Sequence, residues 1–214
     1  MADGGLQGND ISEALLGCVL PAGIGQAPAR QAVLASGLPQ SVGTTTINKV
    51  CGSGMKAVMI GHDAIRAGSA DIILAGGMES MSNAPYLLPK ARQGYRMGHQ
   101  EVLDHMFFDG LQNPYDGNMM GYFAEETAKK YGFTREAQDD FTKASVTRAM
   151  TAMNNGSFDA EIVPVTVMDR RKESIVDKDE EPPRCDLGKI GSMRPAFAKD
   201  GTVTAASSST ISDG

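Results

Sequence analysis

Thr44-Thr45-Thr46-Ile47-Asn48-Lys49-Val50-Cys51-Gly52-Ser53-Gly54-Met55 changes its pattern midway. Residues 44–50 are rich in β-branched side chains, which favour a strand. From about Gly52 to Ala67 the period becomes helical, with Met55, Val58, Met59 and Ile65 on one face and Gly68 as the stop. Downstream, residues 71–75 read as a short apolar strand ending at Gly76-Gly77. Upstream, Ala-Leu-Leu-Gly-Cys-Val-Leu at 14–20 reads as a buried strand, although so short a run also suits a helix. A Gly-rich link at 21–25 then leads to a helix over about 28–36, stopped by Gly37. Strand, helix, strand, helix, strand at this spacing predicts an α/β fold of parallel βαβ units with both sheet faces covered.

Beyond Ser82 the composition shifts. Residues 82–120 hold Pro, Gly, Asn and Met with little periodicity and predict a long, loop-rich excursion. Helices are expected over roughly 121–131 and 134–154, the second capped by Thr134 and ended near Asn155-Gly156. Residues 162–167 suit a strand interrupted by Pro164. Residues 169–189 are charged and loop-like, and their acidic run at 177–181 reads as a solvated face. Three segments follow: a core of strand–helix units at 1–81, a loop domain at 82–211, and the start of a return to the core at 212–214.

Hydrophobic residues make up 41% of the 214, enough for a core. Lys and Arg number 20 against 26 Asp and Glu, and no basic cluster offers a nucleic-acid surface. No apolar run has the length of a membrane span. The opening Met1-Ala2-Asp3-Gly4-Gly5 has neither basic nor apolar leader character, which predicts a cytoplasmic protein. Cys18, Cys51 and Cys185 are too scattered for a disulfide framework or a zinc site and read as free thiols.

Cys51 sits where the strand pattern hands over to the helix. Backbone N–H groups at a helix N-terminus lack intrahelical acceptors, and the local field favours anions; the thiolate is the reactive form of cysteine. Gly52 and Gly54 are expected to keep the approach clear for a substrate. The residue pattern alone leaves a small buried cysteine as open as a nucleophile.

The stretch INKVCGSGMKAV (47–58), followed by DAIRAGSADIILAGGMESMSNAPYLL (63–88), resembles the thiolase family. So do DGL at 109–111, RPAF at 194–197 and GTVTA at 201–205, so that the resemblance covers nearly the whole chain. The branch resembled is the acetyl-CoA C-acetyltransferases (acetoacetyl-CoA thiolases) of fatty-acid metabolism. The resemblance implies a layered α-β-α fold with an inserted loop domain. It also implies that Cys51 takes an acetyl group from acetyl-CoA as a thioester. A second acetyl-CoA, deprotonated at its methyl carbon, then attacks to give acetoacetyl-CoA and CoA; thiolysis is the reverse. Motif matching assigns CoA contacts to Leu111, Met120, Ala196, Phe197, Ala205, Ser209 and Ile211, with a plain core role for each as an open alternative. Arg184 is a further match, to a CoA phosphate. No metal and no separate cofactor are implied, coenzyme A being a substrate. Residues 86–105 resemble the loop through which such enzymes form tetramers, so a homodimer or homotetramer is expected of the full-length protein.

The family pattern is nearly twice this length. Its first strand and helix are expected before Met1 and its second half after Gly214. That half carries the histidine that activates the nucleophile, a second cysteine acting as acid and base, and an Asn-centred water site. His62, His99, His105 and Cys185 match none of these positions, and Ser207 stands where the family usually has Asn. These residues alone are therefore expected to be inactive in turnover. Two other readings are a catalytically dead acyl-CoA-binding or partner-binding fragment, and a ketoacyl-synthase-type condensing enzyme. The GGMESMS run at 76–82 argues against the latter.

Overall fold

In the computed structural model, which describes residues 5–170 and 172–214, strand β1 (Glu13–Gly17) runs between β2 (Gly43–Ile47) and β3 (Ile73–Gly77). All pairings are parallel: Glu13 lies level with Gly43 and Ile73, and Gly17 with Ile47 and Gly77. Parallel neighbours need crossover helices, and α1 (Pro28–Ala35) and α2 (Ser53–Arg66) supply them. The chain steps from β1 to one neighbour and then back across to the other. Right-handed crossovers in opposite directions put the two helices on opposite sheet faces.

Side-chain alternation along β1 sorts the packing. Ala14 joins Ile11, Val33, Leu38 and Val42 in the core on the α1 side. The α2 side is tighter. A Cβ added at Gly17 would lie 2.6 Å from the Gly54 nitrogen and the Ser53 carbonyl carbon, so the head of α2 rests directly on backbone. Further along, a Cβ at Gly61 would meet Ile73 at 3.1 Å. The buried stripe of α2 is thus Ser53, Ala57 and Gly61, all small. Its large apolar residues, Met55, Val58, Met59 and Ile65, form a separate and exposed face.

The chain divides into two compact units, one running to Gly117 and regaining Ile211–Gly214, the other Asn118–Thr210. The boundary expected at Ser82 therefore lies inside the first unit, as does Ile211. Within that unit the excursion is less shapeless than its composition predicts. Strands β4 (Tyr86–Leu87) and β5 (Leu103–Asp104) pair antiparallel and close the base of an exposed loop, and a π-helical turn follows at Met106–Leu111.

The second unit holds α3 (Met120–Tyr131) and α4 (Arg135–Asn154). Thr134 caps α4 as expected, its side chain accepting from the Ala137 N–H at 3.1 Å. Strand β6 (Val165–Asp169) begins directly after Pro164 and forms a hairpin with β7 (Lys172–Val176). Residues 172–176 were expected as loop; every one of them is exposed, so the strand has no buried face to impose alternation on its sequence. A short helix α5 (Glu181–Arg184) lies within the same charged stretch.

Candidate active site

Cys51 is an exposed free thiol directly before Gly52 and α2. It lines a cleft of about 240 Å³ with Gly17, Cys18, Val19, Val50, Ser53, Gly54, Gly77, Met78, Glu79 and Gly214. Strand ends and a helix head thus meet at the place where open parallel sheets offer a crevice. Gly54 lines the cleft. A Cβ there would meet the Gly76 carbonyl oxygen at 3.7 Å, an ordinary contact distance, so packing on β3 does not by itself require glycine at this position.

The turn that carries Cys51 is held by side chains. Asn48 Oδ1 accepts the Val50 N–H at 2.9 Å, and Ser53 Oγ donates to the Val50 carbonyl at 2.6 Å. The same hydroxyl accepts the Lys49 N–H at 2.8 Å.

Glu79 builds the opposite wall. Its carboxylate accepts the N–H groups of Val19 at 2.9 Å and Leu20 at 3.0 Å, fixing the segment that leaves β1. Its backbone exchanges a pair of hydrogen bonds with Gly214. Cys18, 3% exposed, lies beside this carboxylate, and burial followed by the Glu79 charge pushes its thiol up from the ordinary range. Sequence reasoning missed Glu79 as a wall of the site, because its partners lie about sixty positions away.

None of the histidines lines this cleft. His62 is exposed on α2 beside Asp63, and His99 is exposed in the loop. His105 is buried, with Nδ1 at 2.6 Å from Asp109 and Nε2 accepting the Ala22 N–H at 3.4 Å. That arrangement makes Nδ1 the protonated nitrogen and uses both. Among the described residues no group of His, Cys, Asp and Glu is disposed to hold a metal ion, and no helix is long and apolar enough to cross a membrane.

The residues matched to CoA contacts are divided between the units. Leu111, at the end of the π-helical turn, and Ile211, exposed, belong to the first. In the second, Met120 opens α3 half-exposed, and the Phe197 ring packs so closely on Gly121 that a Cβ there would fall 2.1 Å from it. Ala196 donates its N–H to the Val203 carbonyl at 2.9 Å, while Ala205 and Ser209 are exposed. Glu125 holds this region by accepting the Thr202 N–H at 2.8 Å and the Val203 N–H at 2.9 Å. Ser207 accepts the Thr204 N–H at 2.9 Å. Arg184 pairs with Glu180 at 3.1 Å and Glu181 at 3.6 Å.

A doubly wound parallel sheet with an exposed thiol at a strand-to-helix junction defines the class: an α/β protein built to present a cysteine. More particularly, the chain belongs to the thiolase family, whose N-terminal domain model matches residues 1–214. It is 49% identical over 212 residues to an acetyl-CoA acetyltransferase of Cupriavidus necator, covering 98% of this chain and 54% of that protein. A probable acetyl-CoA acyltransferase of Staphylococcus aureus is 47% identical with the same coverage. A crystal structure of a thiolase from Ascaris suum in complex with coenzyme A superposes with a TM-score of 0.89 at 42% identity, covering 97% of this chain and 53% of that one. The layered α/β architecture is that of the family. The chain spans about half the length of the curated relatives it matches.

Proposed function

We propose that Cys51 accepts the acetyl group of acetyl-CoA as a thioester with release of CoA, the first half of condensing two acetyl-CoA to acetoacetyl-CoA and CoA; in the reverse thiolysis the same acetyl-cysteine passes its acetyl group to CoA. The observation that carries this reading is the exposure of Cys51 in the cleft at the head of α2. Transfer to a thiol needs an approach path and donors near the developing oxyanion. Unpaired N–H groups in the first turn of a helix are backbone donors of that type. CoA is proposed to contact Leu111, Met120, Ala196, Phe197, Ala205, Ser209 and Ile211. Coenzyme A enters as substrate, with no further cofactor. A cytoplasmic setting and a homodimer or homotetramer through the loop at 86–105 complete the reading of the whole protein.

Incubation with acetyl-CoA followed by peptide mass spectrometry tests the central step. An acetyl group on the peptide bearing Cys51, lost in Cys51→Ala, is the expected result. Acetylation confined to Cys18 or Cys185, or none at all, would refute it.

A further inference from the structure

Resting on Cys51 as the acyl-accepting thiol, we propose that Asn48 and Ser53 are positioning residues that jointly hold Val50 left-handed so that Cys51 is presented at the head of α2. Val50 has a φ of 47°. In this region the Cβ crowds the following carbonyl oxygen, and for a β-branched residue the conformation is an outlier. Such strain persists only where the surroundings over-determine it.

Here the surroundings can be named. The Val50 N–H is taken by Asn48 Oδ1 at 2.9 Å. Its carbonyl accepts from Ser53 Oγ at 2.6 Å and from the Ser53 N–H at 3.0 Å. Both polar groups of the strained residue are therefore engaged by the same two residues. Each of the two is anchored in turn. Asn48 Nδ2 donates to the Val19 carbonyl at 3.3 Å, across the cleft. Ser53 is 4% exposed and its hydroxyl also accepts the Lys49 N–H at 2.8 Å.

This is not ordinary helix capping. A capping serine bonds forward to an N–H two or three positions later, whereas Ser53 bonds backward to Lys49 and Val50, and α2 has no side-chain cap bond. The hydroxyl is used on the turn that leads to Cys51. Were Val50 to relax to negative φ, the Val50–Cys51 peptide would rotate, the Ser53 N–H would lose its acceptor, and Sγ would leave the mouth of the cleft.

The test is the alkylation rate of Cys51 by iodoacetamide, followed by peptide mass spectrometry on the chain, with buried Cys18 as an internal gauge of unfolding. Ser53→Ala is expected to slow Cys51 about tenfold while Cys18 stays protected. Adding Val50→Gly should restore the rate to within about threefold, because glycine takes positive φ without steric cost. Asn48→Asp, which keeps the Oδ1 acceptor, should retain more of the rate than Asn48→Ala. An unchanged rate in Ser53→Ala overturns the proposal. So does a slow rate that Val50→Gly fails to restore, or parallel modification of Cys18, which would make Ser53 a matter of general stability. Acetyl-CoA offered to the same proteins separates the two readings. A Cys51 that is alkylated but never acetylated removes the acyl-transfer reading and leaves the clamp standing; acetylation indifferent to Ser53 removes the clamp alone.

Discussion

Two cysteines that line one cleft have opposite surroundings. Cys51 is exposed at the head of a helix, while Cys18 is buried and donates its S–H to the Glu79 carboxylate at 3.8 Å. Burial and the Glu79 charge both disfavour the Cys18 thiolate, so its pKa is raised in the folded state. The sign of the stability effect follows. Below the ordinary thiol value both states are protonated and the contribution is complete; as pH rises through the raised folded value, the unfolded chain has already lost its proton and stability falls. Above about pH 8.5, urea midpoints should therefore drop more steeply for the natural chain than for Cys18→Ala. Parallel curves would show that Cys18 ionises as freely in the fold as outside it.

At the scale of elements, the head of α2 depends on absent side chains. Gly17→Ala would drive a methyl group into the backbone of Ser53 and Gly54, where no side chain can swing aside. Overpacking of this kind costs roughly 1–3 kcal/mol or more, and it should shift α2 and slow Cys51 acetylation together. Met59→Lys, on the exposed face, should move stability by no more than about 0.5 kcal/mol; thermal unfolding of both variants checks the assignment of faces. The sequence reveals where α2 begins and ends, through its period and Gly68, and the structure places it at Ser53–Arg66. It does not reveal which face meets the sheet. The apolar stripe invites that role, yet the close approach permitted by Gly17 and Gly61 gives it to Ser53, Ala57 and Gly61. Likewise Gly54 reads equally well as space for a substrate or for a strand. The exposed strand β7 leaves no alternation to detect, and the carboxylate clamps of Glu79 and Glu125 bind N–H groups about 60 and 77 positions away. Local pattern carries such long-range pairings poorly.

At the scale of the whole chain, presenting a thiol and completing a condensation are different demands. Removing a proton from a thioester methyl group requires a base beside the reacting carbon, and a positioned base contributes about 10²–10⁴-fold in rate. Besides Cys51, the titratable side chains lining its cleft among the described residues are Cys18 and Glu79. The first is held protonated by burial. The second already accepts two backbone N–H bonds, which favour the carboxylate and tie it to the chain after β1. His105 has both ring nitrogens engaged elsewhere, and His62 projects from α2 into solvent. The chain spans about half of its relatives' length, and we propose that none of these groups serves as the base. The 214 residues alone should then take one acetyl group onto Cys51 and stop. With acetoacetyl-CoA and CoA, absorbance of the β-ketothioester should show no sustained loss; with acetyl-CoA alone, the acetyl group should accumulate on Cys51 and be removed by added CoA. Steady turnover abolished by Cys51→Ala would mean that a group within this cleft acts as the base, with Glu79→Gln the variant to identify it.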